Sequence, residues 1–297
     1  MGELNDILQR VEPSLGPLGG EPRPLQGGIT NRNFRVRLGG DDYVVRLPGK
    51  DTEMLGIVRE AERRANETAA GLGLAPPVVA AFEDCLITRF VDCEPVGPRE
   101  VAEAAEEIAG ALRRFHDSGV RLPAGFWVPD LLARYEAVVR GRGGTPPAGY
   151  AELVSASERI AACLAGGPRR PCHNDLLAGN IIRADDGRMM VVDWEYAGMG
   201  DPLFDLGNLS VNNHFGEQDD ERMLSAYYAQ PPTAGRRAAL KLMRVLSDAR
   251  EAAWGIVQAQ ISELDFDFTG YAREHVERLR AAVAGPRFEE WLASAAE

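Results

Sequence analysis

Two acidic residues and an amide, closely spaced, are the groups in this chain whose types and order could do chemistry together. In PCHNDLLAGNIIRADDGRMMVVDWEYAG, residues 171–198, Asp175 precedes Asn180 by five positions, and Asp193 ends the apolar run at 189–192. The turn formers Asp185, Asp186 and Gly187 predict a hairpin that delivers this second acid. Such a set combines a proton acceptor with oxygen ligands for a hard ion such as Mg²⁺, which keeps several waters and takes few protein groups. The chemistry it suits is phosphoryl transfer, which rests on positioning, charge neutralisation and a carboxylate that orients and deprotonates the attacking hydroxyl. Asp175 is then the candidate catalytic base, and Asn180 and Asp193 are the candidate metal ligands. His173 is expected to be structural, hydrogen-bonding the loop and the backbone near Asp193, because a base is already supplied.

The elements that must position this loop can be followed from the amino terminus. Residues 3–12 predict a short amphipathic helix, followed by a Gly- and Pro-rich connector through Pro24. Strands begin with LQGGITNRNFRVRL and continue with DDYVVRLPG. A glycine hairpin there can approach phosphates closely, with Gly28, Thr30 and Asn31 as candidate nucleotide-binding positions. Arg46 lies on the following strand, where a kinase places the cation that grips the α- and β-phosphates, normally a Lys. Residues 57–78 read as a helix, with Glu62 as the partner of that cation and Glu60 as the alternative. A hairpin over 78–91 leads onward, and its end, with Arg89 and Val91, is the crossover at which kinase backbones meet adenine. A long helix is expected from Arg99 through His116, which caps or packs its end. Asp205 starts another helix, as a cap or a support for the catalytic loop. Trp254 and Tyr271 lie on two helical stretches around an acidic, aromatic turn.

Composition bounds the setting. With 297 residues the chain can form two lobes, each with its own core. The expected division is 1–90, a nucleotide-binding lobe, and 91–297, a catalytic and substrate-binding lobe. A net charge of -12 argues against a nucleic-acid partner and fits an enzyme with a cationic substrate. Cys85, Cys93, Cys163 and Cys172 show no Cys-x-x-Cys spacing, which points to a reducing cytoplasm. Cys172 is expected to be a buried small residue and not a nucleophile. No stretch resembles a signal peptide or a membrane span, and Asp6 stands where a myristoylation signal needs Ser or Thr.

From LQGGITN to YAREHVERL the chain resembles the choline/ethanolamine kinase family, within the aminoglycoside-phosphotransferase-like group. CHNDLLAGNI echoes the catalytic string, VDWEYAG the metal-binding strand end, and WGIVQAQIS followed by GYA the substrate-lobe helices. The resemblance implies an α+β, bilobal, protein-kinase-like fold with a small β-rich lobe and a larger, mainly helical one. It implies an ATP-dependent kinase acting on the hydroxyl of a small amino alcohol, choline first, with Mg²⁺ as cofactor. Ethanolamine, or another cationic alcohol such as an aminoglycoside, is the alternative, and a non-catalytic nucleotide-binding protein is the alternative of another class. Asp175 would act on the alcohol, Asn180 and Asp193 would hold Mg²⁺, and Arg46 with Gly28, Thr30 and Asn31 would hold the ATP phosphates. Trp254 and Tyr271 match aromatic positions that enclose a quaternary ammonium, a cation that aromatic faces attract. Two positions depart from the eukaryotic choline kinases: Glu251 replaces a Trp three residues before Trp254, and Asn212 replaces a Glu. Glu251 could pair with a cationic head group or favour a primary ammonium. A protein kinase is disfavoured, since no APE-like segment follows the DWE string. The oligomeric state, a homodimer included, stays open.

Overall fold

A computed structural model describes residues 2–25, 31–49, 52–164, 166–262 and 264–296. The amino-terminal lobe is built on five antiparallel strands, β1 (Arg23–Leu25), β2 (Arg32–Leu38), β3 (Asp41–Leu47), β4 (Val78–Ala81) and β5 (Leu86–Arg89), in the order β1-β2-β3-β5-β4. Helix α1 (Gly2–Leu15) lays Leu4, Ile7, Leu8 and Val11 on this sheet, the i, i+3, i+4, i+7 pattern of a one-sided helix. They meet Tyr43, Val45 and Leu47 of β3. Because side chains alternate along a strand, burying these three on the α1 side turns Arg46 to the other face. There lies α2 (Arg59–Gly71), whose Ala61, Glu62, Ala65 and Ala69 are buried.

The sheet ends at Arg89, and the next strand, β6 (Cys93–Pro95), already pairs with the second lobe in the order β6-β8-β9. That lobe opens with α3 (Pro98–Glu103) and α4 (Ala105–His116). The single helix expected here is broken at Ala104, whose ψ of 13° departs from helical geometry. Helices α5 (Val128–Gly141) and α6 (Tyr150–Leu164) follow, then the strands β7 (Arg170–Cys172), β8 (Ile181–Ala184), β9 (Met189–Val191) and β10 (Gly198–Gly200). The predicted hairpin is β8 and β9, paired Ile181 to Val191. The chain closes with α7 (Pro202–Asn212), α8 (Glu217–Tyr228), α9 (Ala234–Ile261), α10 (Phe268–Val283) and α11 (Pro286–Ala295). The expected two-lobe α+β architecture is therefore present, a small sheet and a larger helical body. At the amino terminus the helix is longer than expected, and Pro24 belongs to β1 and not to a connector.

The 28-residue α9 is the spine of the larger lobe and is buried nearly throughout from Ala238 to Gln258. It packs against α7 most closely at Gly207, where a Cβ would lie 2.6 Å from the Met243 Cβ and 2.8 Å from its carbonyl carbon. Only a residue without a Cβ permits that approach. Among the described residues no helix is long and apolar enough to cross a membrane.

Candidate active site

The candidate catalytic loop joins β7 to β8 and is held mainly from α7. Asp205 accepts the amides of His173 (2.8 Å) and Asn174 (2.7 Å) through its two carboxylate oxygens. Asn208, one turn further, accepts the Leu176 amide through Oδ1. Asn174 can then take a φ of 69°, a left-handed conformation that Asn tolerates better than most residues. His173 donates from Nε2 to the Val192 carbonyl at 3.0 Å and accepts the Asp175 amide at Nδ1 at 3.1 Å, which assigns its tautomer. Burial holds its proton affinity below the ordinary histidine value, in keeping with a neutral ring that accepts at Nδ1. It is the structural residue anticipated. Asp205 is the loop support, and His116 bonds it at 2.9 Å while its other nitrogen meets the Tyr227 hydroxyl. His116, Cys172 and Asp205 bring one ligand atom each within 4.8 Å of one another, but Asp205 already spends its oxygens on the loop and on His116.

Asp175 is buried, and both its carboxylate oxygens are engaged. Oδ1 accepts from Arg250 Nη1 at 2.9 Å, and Oδ2 from Asn180 Nδ2 at 3.1 Å. Burial, with Glu251 and Asp193 adding to it, pushes the Asp175 carboxyl up to about 7 against the pull of Arg250. Asn180 ends a short 3₁₀ turn (Ala178–Asn180), and its carbonyl accepts the Val192 amide at 2.9 Å, which sets Asn180 beside the end of β9. Asp193 follows at a φ of 64°. With Nδ2 of Asn180 spent on Asp175, its Oδ1 and the Asp193 carboxylate form a pair of hard oxygen donors, the chemistry that Mg²⁺ takes.

Arg46 meets three carboxylates across the lobes. Nη2 bonds Asp193 Oδ1 and lies 3.3 Å from Glu195 Oε2, and Nη1 lies 3.2 Å from Glu62 Oε1. Although burial works against its charge, Asp193, Glu62 and Glu195 hold the guanidinium above its ordinary range. Glu62 also takes Arg59 at 2.6 Å, whereas Glu60 faces outward to Arg63 and Arg64. Asn31, buried at the start of β2, donates to Glu195 Oε2 at 2.9 Å. Burial, reinforced by Asp193, pushes the Glu195 carboxyl up to about 8. Gly28 and Thr30 lie outside the described residues.

The other two expected nucleotide positions, Arg89 and Val91, lie at the crossover between the lobes. Arg89 pairs opposite Tyr43, three register positions from Leu86, the partner of Arg46. Its exposed side chain binds Asp41 at 2.6 Å and covers the Tyr43 ring, so the structure does not bring it to the Arg46 cluster. Val91, half-buried, lies in the segment joining β5 to β6.

On the substrate side, Glu251, Trp254 and Tyr271 do converge. The Tyr271 hydroxyl donates to Glu251 Oε2 at 2.8 Å, and the Trp254 and Tyr271 rings meet edge to face at 5.6 Å. Trp254 also donates to the Tyr196 hydroxyl at 2.8 Å. Asn212, at the end of α7, has a buried Nδ2 without a hydrogen-bond partner among the described residues and no described bond to this group.

Besides Glu195, Arg250 is a residue that sequence reasoning missed. It is 2% exposed, its Nη1 bonds both Asp175 and Glu251 Oε1 (2.7 Å), and its guanidinium carbon lies 4.3 Å from the centre of the Tyr196 ring. The available signal was a charged pair, Arg250 and Glu251, followed by Ala252, Ala253 and Trp254 in a stretch too apolar for a solvent face.

Comparison with known proteins relates this chain to phosphotransferases. Protein LicA of Haemophilus influenzae is 26% identical over 215 residues, 69% of this chain, and the match spans 62% of that relative's length. A probable ethanolamine kinase of Arabidopsis thaliana is 28% identical over 312 residues, covering 91% of this chain and 78% of the relative. The crystal structure of a choline/ethanolamine kinase family protein from Mesorhizobium loti superposes with a TM-score of 0.83 at 29% identity, covering 99% of each chain. The profile of the phosphotransferase enzyme family matches residues 21–242, well over half of the chain, and the chain belongs to that family.

Proposed function

We propose that this protein is an ATP-dependent kinase that phosphorylates the hydroxyl of a small amino alcohol, with choline as its substrate. The observation that carries the reading is the convergence of Asp175 with Asn180 and Asp193 on one side and with the Trp254–Tyr271 pair, through Arg250 and Glu251, on the other. A base and hard-ion donors speak for phosphoryl transfer, and paired aromatic rings speak for a cation that cannot donate strong hydrogen bonds. The kinase relatives support the same class of acceptor. Both Glu251 oxygens are taken inside the protein, which leaves the rings as the cation-recognising groups and favours a quaternary ammonium.

In this reading Asp175 hydrogen-bonds the choline hydroxyl and accepts its proton as the oxygen attacks the γ-phosphorus, the bond from that phosphorus to the β–γ bridging oxygen breaks, and ADP leaves. Arg46 and the loop around Asn31 hold the phosphates, and Arg46 moves part of its bonding from Asp193 to them. Asn180 and Asp193 would hold Mg²⁺, which supplies neutralisation of the phosphate charge. The closely packed α7 and α9 keep the loop rigid. The four free cysteines suit a reducing cytoplasm. The test is purified protein with MgATP and a panel of choline, ethanolamine, their N-methylated intermediates and aminoglycosides, read by ADP release and by ³¹P NMR of the phosphoester. Choline turnover is expected, and no ATP consumption with any amino alcohol overturns the assignment.

A further inference from the structure

Arg250 stands in the middle of α9, where an unmatched guanidinium is costly. Its matching groups come from two directions. Nη1 donates to Asp175 Oδ1 from the catalytic loop and to Glu251 Oε1 from its own helix, and the plane rests near Tyr196. The same helix reaches the loop a second time: Ser247, one turn earlier on the same face, accepts from Asn208 Nδ2 at 2.9 Å, and Asn208 Oδ1 takes the Leu176 amide. Consecutive loop residues, Asp175 and Leu176, are therefore tied to consecutive turns of α9. The contact of Gly207 with the Met243 backbone sets the distance between the two helices at which this bracket closes.

Glu251 completes the arrangement. It is 1% exposed, and its two oxygens are divided between Arg250 and the Tyr271 hydroxyl. Against its burial, Arg250, with His275 and the Tyr271 hydroxyl, holds it below the ordinary carboxylate range. Asp175 is held from opposite sides, by Arg250 at Oδ1 and by Asn180 at Oδ2. Without Arg250, Asp175 would keep one tether, and two carboxylates would lie buried without their cation.

We propose that Arg250 is a positioning residue for the transfer, anchoring the base Asp175 from α9, and that Glu251 serves Arg250 as its counter-ion and does not meet the cation of the substrate. The proposal rests on the reading of Asp175 as the base of an alcohol kinase.

Kinetics with choline separate the two roles of Glu251. If it serves the base, Glu251→Gln lowers kcat by about tenfold and leaves the KM for choline within about twofold; if it meets the cation, KM rises by about tenfold with kcat retained, which overturns the proposal. Arg250→Lys keeps the charge but not the two-carboxylate geometry, and it should lower kcat on the order of 100-fold with an unchanged KM for ATP. Wild-type kcat in that variant overturns the anchor. A melting cycle decides the tether without any substrate, so it holds even if no alcohol in the panel turns over. Arg250→Met should lower the melting temperature by about 5 °C or more, and adding Asp175→Asn should restore part of that loss. Strictly additive losses overturn the proposal.

Discussion

Arg46 and Asp193 are bonded to each other across the lobes, the guanidinium of β3 to the carboxylate that follows β9. The residue expected to grip phosphates and the residue expected to hold the metal thus neutralise one another in the protein alone. Glu62 and Glu195 share the same guanidinium, Glu62 with Arg59 as a second partner, so Asp193 and Glu195 have Arg46 as their close cation.

Removal of Arg46 should therefore cost stability as well as nucleotide binding. Arg46→Met leaves buried acids unpaired and should destabilise the fold by about 3–5 kcal/mol, measured by urea unfolding. Adding Glu195→Gln should recover part of that loss, because a buried carboxylate that has lost its close cation is removed. Additive losses would show that Arg46 stabilises through packing of its stem.

Asp175→Asn keeps the shape of the proposed base but removes its ability to accept a proton. Activity should fall by about 10³-fold or more while the far-ultraviolet circular dichroism spectrum and the KM for ATP stay close to wild type. Retained kcat would mean that another group takes the proton, and the buried neutral His173, already bonded at both nitrogens, is not available for it.

The loop was legible because its parts are local. Asp175 and Asn180 lie within one turn of chain, and Asp193 follows from a short hairpin, so spacing alone carried them. Glu62 was chosen with Glu60 as the alternative, and it is packing that separates them, Glu62 buried beside Arg46 and Glu60 paired outward with Arg63 and Arg64. Arg250 was not, because its bond to Asp175 spans 75 residues and exists only once α7 and α9 have packed. Asp205 was legible as a support but not by its partners, and His116, expected to cap or pack the helix end, is buried there and buttresses Asp205. For Glu251 the sequence showed the replacement of a ring but not that both of its oxygens are engaged within the protein. The crossover after β5 was legible from chain order, and since its expected contact runs through the backbone, the Arg89 side chain can lie opposite Tyr43 and beside Asp41.

His173 gives a pH prediction whose sign can be worked out. Its folded proton affinity lies below the unfolded value near 6.5, so the unfolded chain binds the extra proton first. The contribution of the neutral ring is fully present above about 6.5 and is lost as pH falls through that value toward the lower folded one. Asp175 and Glu195, raised by burial, act in the opposite sense over the same range, so the whole-protein curve mixes the two. The difference between wild type and His173→Gln isolates the histidine: the wild type should lose its advantage on acidification from pH 7 to 5, and a constant gap in urea midpoints would contradict a buried neutral His173.

The aromatic pair yields the sharpest test of the substrate. Trp254 packs edge to face on Tyr271 and also holds Tyr196, whose ring supports Arg250. If the indole face meets a quaternary ammonium, Trp254→Ala should raise the KM for choline by about tenfold, with a much smaller change in the KM for ATP. Trp254→Phe separates the two duties, since it keeps an aromatic face but loses the bond to the Tyr196 hydroxyl. It should retain most of the affinity for choline while lowering kcat through looser support of Arg250. Equal effects of Trp254→Ala on both KM values would make the ring a packing residue and move recognition of the cation elsewhere in the cleft.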